Sequence, residues 1–215
     1  MDFWTFTVDE KVVINATGVS IAARVNKCVK AFEVPNLKAV EYLPENISEN
    51  FVNLVIYEAV NCSIKSLNEF NFKNLHKLRN LNLAGNLLTE ISSKVFLDLK
   101  KLKKFTLNHN FLKEIGALGS LVSLTTLDMS FNRFEDLQLN TFDKLYELRN
   151  LSLSDNRFSF FGDEHFKDNQ KLEFIWMQNN QVRHLSYSMF NFMPNLKFVD
   201  FSFNSLLNNF LYEKH

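Results

Sequence analysis

The sequence predicts an α/β repeat fold: a right-handed solenoid with a parallel, concave β-sheet and an irregular, short-helical convex side. Three observations carry that expectation. Asn86, Asn110, Asn132, Asn156, Asn180 and Asn204 recur at intervals of 24, 22, 24, 24 and 24 residues, a period typical of stacked repeats. Each closes the phrase L-x-x-L-x-L-x-x-N with conservative swaps, clearest in Leu78-Arg-Asn-Leu81-Asn-Leu83-Ala-Gly-Asn86 and Leu148-Arg-Asn-Leu151-Ser-Leu153-Ser-Asp-Asn156. Phe72, Phe96, Phe142, Phe166 and Phe190 each stand eighteen residues after the first Leu of their repeats.

The elements follow in chain order. Residues 1–50 read as a divergent N-terminal cap. Val12-Val13-Ile14 and Val19-Ser20-Ile21 suit cap strands, and Val34, Leu37, Val40 and Leu43 a degenerate coil that shields the open edge of the first repeat strand. Residues 51–206 hold about seven repeats, and 207–215 a tail. In the first coil (Leu54, Tyr57, Ala59, Cys62, Ile64, Leu67), Cys62 takes the place of the recurring Asn.

Within each repeat, residues two apart, such as Leu81 and Leu83, point the same way on an extended strand. One coil cannot bury that apolar row, so coils must stack. Seven coils at about 4.8 Å make a body about 30–35 Å long. The recurring Asn falls where the chain turns inward. Its amide both donates and accepts, which suits it to a ladder satisfying buried turn groups. The recurring Phe predicts an aromatic spine on the convex side. The third repeat departs from the pattern: Ser120 takes the Phe slot, and the stretch Gly116–Gly119 is two residues short, so a local change of curvature is expected there.

These motifs, over residues 54 to about 206, resemble the leucine-rich repeat family, in its typical 24-residue subfamily L-x-x-L-x-L-x-x-N-x-L-x-x-L followed by a Phe. Members are mostly secreted or cell-surface proteins, such as Toll-like ectodomains, chaoptin- and connectin-like proteins and insect immune repeat proteins. The preface from Leu43-Pro44-Glu45-Asn46-Ile47 through Phe51 to Leu54 is similar to the capping region of insect members. The resemblance implies non-catalytic protein recognition at or outside the cell surface, in innate immunity or cell adhesion, with a protein ligand or co-receptor as partner. Extracellular relatives usually carry several disulfide-bonded Cys in the first cap, which this chain lacks. A Cys28–Cys62 disulfide stays open.

Composition narrows the classes further. Lys+Arg and Asp+Glu balance at 24 each, so no net field steers the chain toward nucleic acid or anionic membrane. No apolar run is long enough to insert in a membrane. The segment Met1–Glu10 is too acidic for a signal peptide, which leaves a fragment or processed form, an incomplete gene model, or a cytosolic repeat adaptor. Five Gly make no phosphate-cradling loop, and five His (His76, His109, His165, His184, His215) fall at different repeat positions. No enzyme, cofactor or metal site is expected. Four N-x-S/T sequons occur, at Asn15, Asn46, Asn61 and Asn150. Asn15 and Asn46 are the glycosylation candidates, since a glycan on the other two would obstruct the concave sheet.

Outward strand positions define three concave rows. The central one is Glu58, Asn82, Thr106, Asp128, Ser152, Trp176, Asp200. Beside it run Ile56, Asn80, Lys104, Thr126, Asn150, Phe174, Phe198, and on the other flank Asn61, Gly85, His109, Phe131, Asp155, Asn179, Phe203. The rows are mainly polar until the last two coils, where Phe174, Trp176, Phe198 and Phe203 cluster with Asp155, Gln178 and Asp200 as a polar rim. Exposed aromatics in one patch mark a binding surface. The same patch suits an assembly or homodimerisation module, or cover by the tail from Leu206 onward. Lys100, Lys101, Lys103 and Lys104 read either as a solvated charged edge or as a site for an acidic partner or a sulfated glycan.

Overall fold

A computed structural model describes three N-terminal strands and residues 42–205. The three strands are β1 (Phe3–Thr7), β2 (Lys11–Asn15) and β3 (Ala31–Val34). Seven short parallel strands then mark the coils, taken here as one to seven. They are β4 (Ile56–Ala59), β5 (Asn80–Asn82), β7 (Lys104–Thr106), β9 (Thr126–Asp128), β10 (Asn150–Ser152), β12 (Phe174–Trp176) and β14 (Phe198–Asp200). On the far side lie four two-residue strands: β6 (Glu90–Ile91), β8 (Glu114–Ile115), β11 (Phe160–Phe161) and β13 (His184–Leu185).

One ten-stranded sheet runs in the order β14-β12-β10-β9-β7-β5-β4-β3-β1-β2. From β4 onward the register advances one coil at a time, so Tyr57, Leu81, Phe105, Leu127, Leu151, Ile175 and Val199 form one column. The first six of these are fully buried, and Val199 is half-buried. Strand alternation puts their neighbours on the concave face, as period two requires.

Strand β3 extends the parallel stack against β4, and β1 then pairs antiparallel with both β3 and β2. The expected strand at Val12–Ile14 lies within β2, while the one at Val19–Ile21 falls outside the described residues. Strand β1 was not foreseen, although its Phe-Trp-Thr-Phe-Thr run has the composition of a strand. Of the degenerate coil, Val34 ends β3, and Leu43 joins the buried core together with Ile47 and Phe51, the N-cap and last residue of a one-turn helix, Ser48–Phe51. Leu37 and Val40 lie outside the described residues, as do Cys28 and the tail from Leu206.

The six recurring Asn make one repeated bonding pattern. In each, Nδ2 donates to two carbonyls of its own turn and to one of the preceding coil, while Oδ1 accepts an N–H of the preceding coil. For Asn110 these are Leu107 O at 3.0 Å, Asn108 O at 3.4 Å, Leu83 O at 2.9 Å and Leu88 N at 3.2 Å. Each side chain therefore ties its own turn to the coil before it. Cys62 has no amide with which to reproduce this; its thiol donates to Val60 O at 3.2 Å, and its N–H donates to Asn86 Oδ1 at 3.0 Å.

The recurring Phe side chains are buried in coils one, two, four and five, and Phe190 is half-buried. They do not make an unbroken ring stack. Phe142 and Phe166 stack with centroids 5.8 Å apart, whereas Phe72 and Phe96 meet the strand aromatics Tyr57 and Phe105 edge-on at 5.1 Å. In coil three, Ser120 Oγ donates to Phe96 O at 3.1 Å in place of ring packing. The convex strand pairs are interrupted one coil later, at coil four, with β6–β8 on one side and β11–β13 on the other.

Candidate functional site

The parallel register fixes the concave rows read from sequence. Glu58, Asn82, Thr106, Asp128, Ser152, Trp176 and Asp200 stand opposite one another coil by coil, as do Ile56, Asn80, Lys104, Thr126, Asn150, Phe174 and Phe198. The two Asp of the central row serve their own turns: Asp128 accepts from Ser130 N and Oγ at 3.0 and 2.6 Å, and Asp200 from Ser202 N at 2.8 Å.

The flanking row has a property that periodicity does not reveal. Asn61, Gly85, His109, Phe131, Asp155, Asn179 and Phe203 all occupy the left-handed region, with φ between 53° and 68°. The position before each ladder residue must reverse the chain, and in coils one to six its N–H donates to a carbonyl of the next coil, as in Phe131 N to Ser154 O at 3.1 Å. Gly85 alone is a glycine, which takes its φ of 68° without a Cβ penalty and leaves room for the Asn61 side chain, whose Oδ1 would lie 1.9 Å from a Cβ there. At Phe131 a bulky side chain accepts strain of about 1 kcal/mol. Its ring is 45% exposed and stacks on His109 with centroids 4.2 Å apart. Phe131→Gly is expected to leave stability unchanged or raise it by about 0.5–1 kcal/mol in urea unfolding. A loss above about 1 kcal/mol would show that the His109 stack outweighs the strain.

At the C-terminal end of the sheet, Phe174 and Trp176 stack at 6.0 Å, and Trp176 meets Phe198 at 6.2 Å. Phe174 and Trp176 are half-buried and Phe198 is exposed. The fold thus brings three of the four expected aromatics into one run. Phe203 stands on the flanking column, 81% exposed, with no ring contact among the described residues. Asp155 accepts from Asn179 Nδ2 at 2.9 Å. Gln178 is half-buried, and its Oε1 is enclosed with no hydrogen-bond partner among the described residues.

Beside this run lies a charged ladder. Glu173 is held by Arg149 and by Lys197 Nζ at 2.5 Å, and Glu147 accepts from Lys171 Nζ at 2.6 Å. The Lys197 and Arg149 hydrogen bonds lower the Glu173 carboxyl below its ordinary value, and Lys171 does the same for Glu147. A carboxylate whose folded pKa is depressed stabilises above its unfolded pKa and loses that contribution as pH falls through the folded one. The difference in thermal stability between wild type and Glu173→Gln is therefore expected to be widest near neutrality. It should close on acidification through and below the ordinary glutamate range, and shrink in high salt. A difference independent of pH would mean that packing, not charge, holds Glu173.

Of the sequons, Asn46 is exposed at φ 52°, its N–H anchored to Phe70 O at 3.0 Å. Asn150 is half-buried on the concave sheet, Asn61 leans over Gly85, and Asn15 ends β2. Among the described residues, His165 is buried and His76, His109 and His184 are exposed, and no group of His, Cys, Asp and Glu could hold a metal ion. No described helix is long and apolar enough to cross a membrane.

Comparison with solved structures finds this coil stack in the Toll chain of the glycosylated Drosophila Toll–Spatzle complex. The TM-score is 0.77 at 22% identity, over 85% of this chain and 24% of that one. TLR13 in its complex with ssRNA13 matches at TM-score 0.57 and 23% identity, over 71% of this chain and 25% of that one. A second Toll–Spatzle structure matches at TM-score 0.54 and 20% identity, over 81% and 29%. The chain thus spans roughly a quarter of the length of these structures. Among curated proteins, no sequence matches. The leucine-rich repeat model matches residues 60–112, 76–134 and 146–206, more than half of the sequence. With that coverage, and with the Asn ladder and parallel concave sheet in place, the chain belongs to the leucine-rich repeat family.

Proposed function

We propose that this chain is a non-catalytic protein-recognition module, acting outside the cell or at its surface in innate immunity or cell contact. Its partner is a protein ligand or co-receptor held on the concave face. The observation that carries this reading is the run Phe174–Trp176–Phe198 at the end of an otherwise polar sheet. Trp and Phe supply most interface energy where polar neighbours exclude water around them. Phe203 extends the surface along the flank, and Asp155, Gln178 and Asp200 form the rim. The rim carboxylates would repel a phosphate backbone, which favours protein over nucleic acid as the occupant of this end. The Toll chain is described bound to Spatzle and TLR13 bound to ssRNA13, so the fold accommodates both classes.

Crosslinking the tagged chain to extracellular proteins, with mass spectrometry to locate the links, tests the reading. Links are expected to concentrate on coils six and seven and to disappear in the double variant Trp176→Ala, Phe198→Ala. Links elsewhere, or unchanged in the variant, would overturn it. The extracellular reading rests on the exposed turn at Asn46 and predicts a glycan there. A chain made through a secretory pathway should lose mass on glycosidase treatment, and Asn46→Gln should remove that loss. Equal mass with and without glycosidase would count against it.

A second reading, an assembly module, is favoured by one observation. Phe190 of coil six and Leu196, Val199 and Phe201 of coil seven are half-buried, while their counterparts Phe166, Leu172, Ile175 and Met177 one coil earlier are fully buried. Light scattering separates the readings: a wild-type dimer that becomes monomeric in the same double variant assigns the aromatic end to self-association. A monomer in both leaves it to a different protein.

A further inference from the structure

Coils two and three carry six cations on one flank: Lys77, Arg79, Lys100, Lys101, Lys103 and Lys104, all exposed. The coils lie side by side, since Lys103 N and Lys104 N both donate to Arg79 O, at 2.7 and 3.0 Å. One repeat of offset sets Lys101 beside Lys77 and Lys103 beside Arg79, about 4.8 Å apart along the stack at the backbone. Among the described residues, no carboxylate lies within ion-pair distance of any of the six. Asp98, the acidic residue in the adjoining loop, accepts from Asn74 N at 2.7 Å, and Lys77 Nζ meets only the neutral Asn53 Oδ1 at 2.6 Å.

The same repeat positions in coils five to seven show what neutralisation looks like. There Arg149 and Lys197 share Glu173, and Lys171 takes Glu147. Two acidic residues in that column suffice to pair three cations. Coils two and three place Lys or Arg where those two Glu stand, and coil four, with Val122, Ser123 and Thr125, supplies no counter-charge. Six like charges on two adjacent coils repel one another and hold a positive local potential in a chain of zero net charge.

We propose that this flank binds a linear sulfated polysaccharide. Five of the six cations are Lys, compact point charges on flexible stems that follow a string of sulfates without demanding a fixed geometry. No Phe, Tyr or Trp stands among the six, so the patch lacks the stacking platform that a single-stranded nucleic acid uses. It also lacks the buried aromatic anchor that a protein partner needs. The patch lies about three coils, roughly 14 Å, from the aromatic run, so both surfaces can be occupied together. Polysaccharide capture on the flank would hold the module at a cell surface or matrix while the concave end engages its ligand. The polysaccharide site itself does not depend on that ligand.

Retention of the full chain on immobilised heparin across a salt gradient tests this. Wild type is expected to be held at about 0.15 M salt and released as ionic strength rises. Replacing Lys100, Lys101, Lys103 and Lys104 by Gln should weaken binding roughly tenfold or more. The control Lys171→Gln, Lys197→Gln, which removes paired cations, should leave retention unchanged. All these side chains are exposed, and equal melting temperatures verify the fold; Lys101→Gln, Lys104→Gln gives a milder variant with an intermediate shift. Wild type in the flow-through, equal loss in the control, or equal affinity for polyglutamate or a single-stranded oligonucleotide would each overturn the proposal.

Discussion

Asn156→Ala is expected to destabilise the protein by about 2–4 kcal/mol, measured by urea unfolding. Its Nδ2 donates to Met129 O, Leu153 O and Ser154 O at 3.0, 3.2 and 3.1 Å, and its Oδ1 accepts from Phe134 N at 3.1 Å. Removing the amide leaves the Phe134 N–H without an acceptor in the interior, while Met129 O, Leu153 O and Ser154 O each lose one of two donors and keep Asn132 Nδ2, Asn180 Nδ2 and Phe131 N. One unpaired buried N–H costs about 1–3 kcal/mol, and the three lost bonds to carbonyls and the small void add to it. Asn204 is the control written into the same chain. It makes the same four bonds, to Met177 O, Phe201 O, Ser202 O and from Val182 N, but is only half-buried. Water can replace its amide, so Asn204→Ala should cost about 1 kcal/mol. Equal costs at the two sites would show that bond count, not burial, sets the value of the ladder.

Phe166→Ala carries the second large expectation, a loss of about 3–5 kcal/mol by the same measurement. The ring is fully buried, 5.8 Å from Phe142 and 5.9 Å from Phe161. Truncation opens a cavity between coils four and five, and neighbours held by their own ladder bonds cannot collapse into it. Phe166→Leu, which keeps most of the volume, should cost no more than about 1.5 kcal/mol. A loss below about 1 kcal/mol for the alanine variant would mean that the convex side repacks freely. Ser120 shows the alternative solution: with two residues fewer in its coil, a hydroxyl bond to Phe96 O replaces the ring.

Most of the fold was legible because a repeat states the same fact several times over. A single Leu81 could belong to a helix or a strand, but the phrase recurring to Asn204 admits one period and one inward face. The concave rows followed from that period alone, and with them the adjacency of Phe174, Trp176 and Phe198. The N-terminal strands were only partly legible. Strand β2 could be read from Val12–Ile14, while β1 and its pairing with β3 have no repeat to multiply a weak local signal.

By itself the sequence determined the coil, its period, the residues turned inward and the polar residue that closes each turn. These are local properties, set by side-chain alternation and by hydrogen-bonding groups that must be satisfied wherever they are buried. The tertiary structure decided what depends on the distance between coils. It separated Phe203 from the aromatic run and stacked His109 on Phe131 in a left-handed column. It also paired Glu173 with Arg149 and Lys197, while giving the six cations of coils two and three no carboxylate among the described residues. Those outcomes turn on ångström-scale approach between side chains a full repeat apart, and a one-dimensional period carries no information about them.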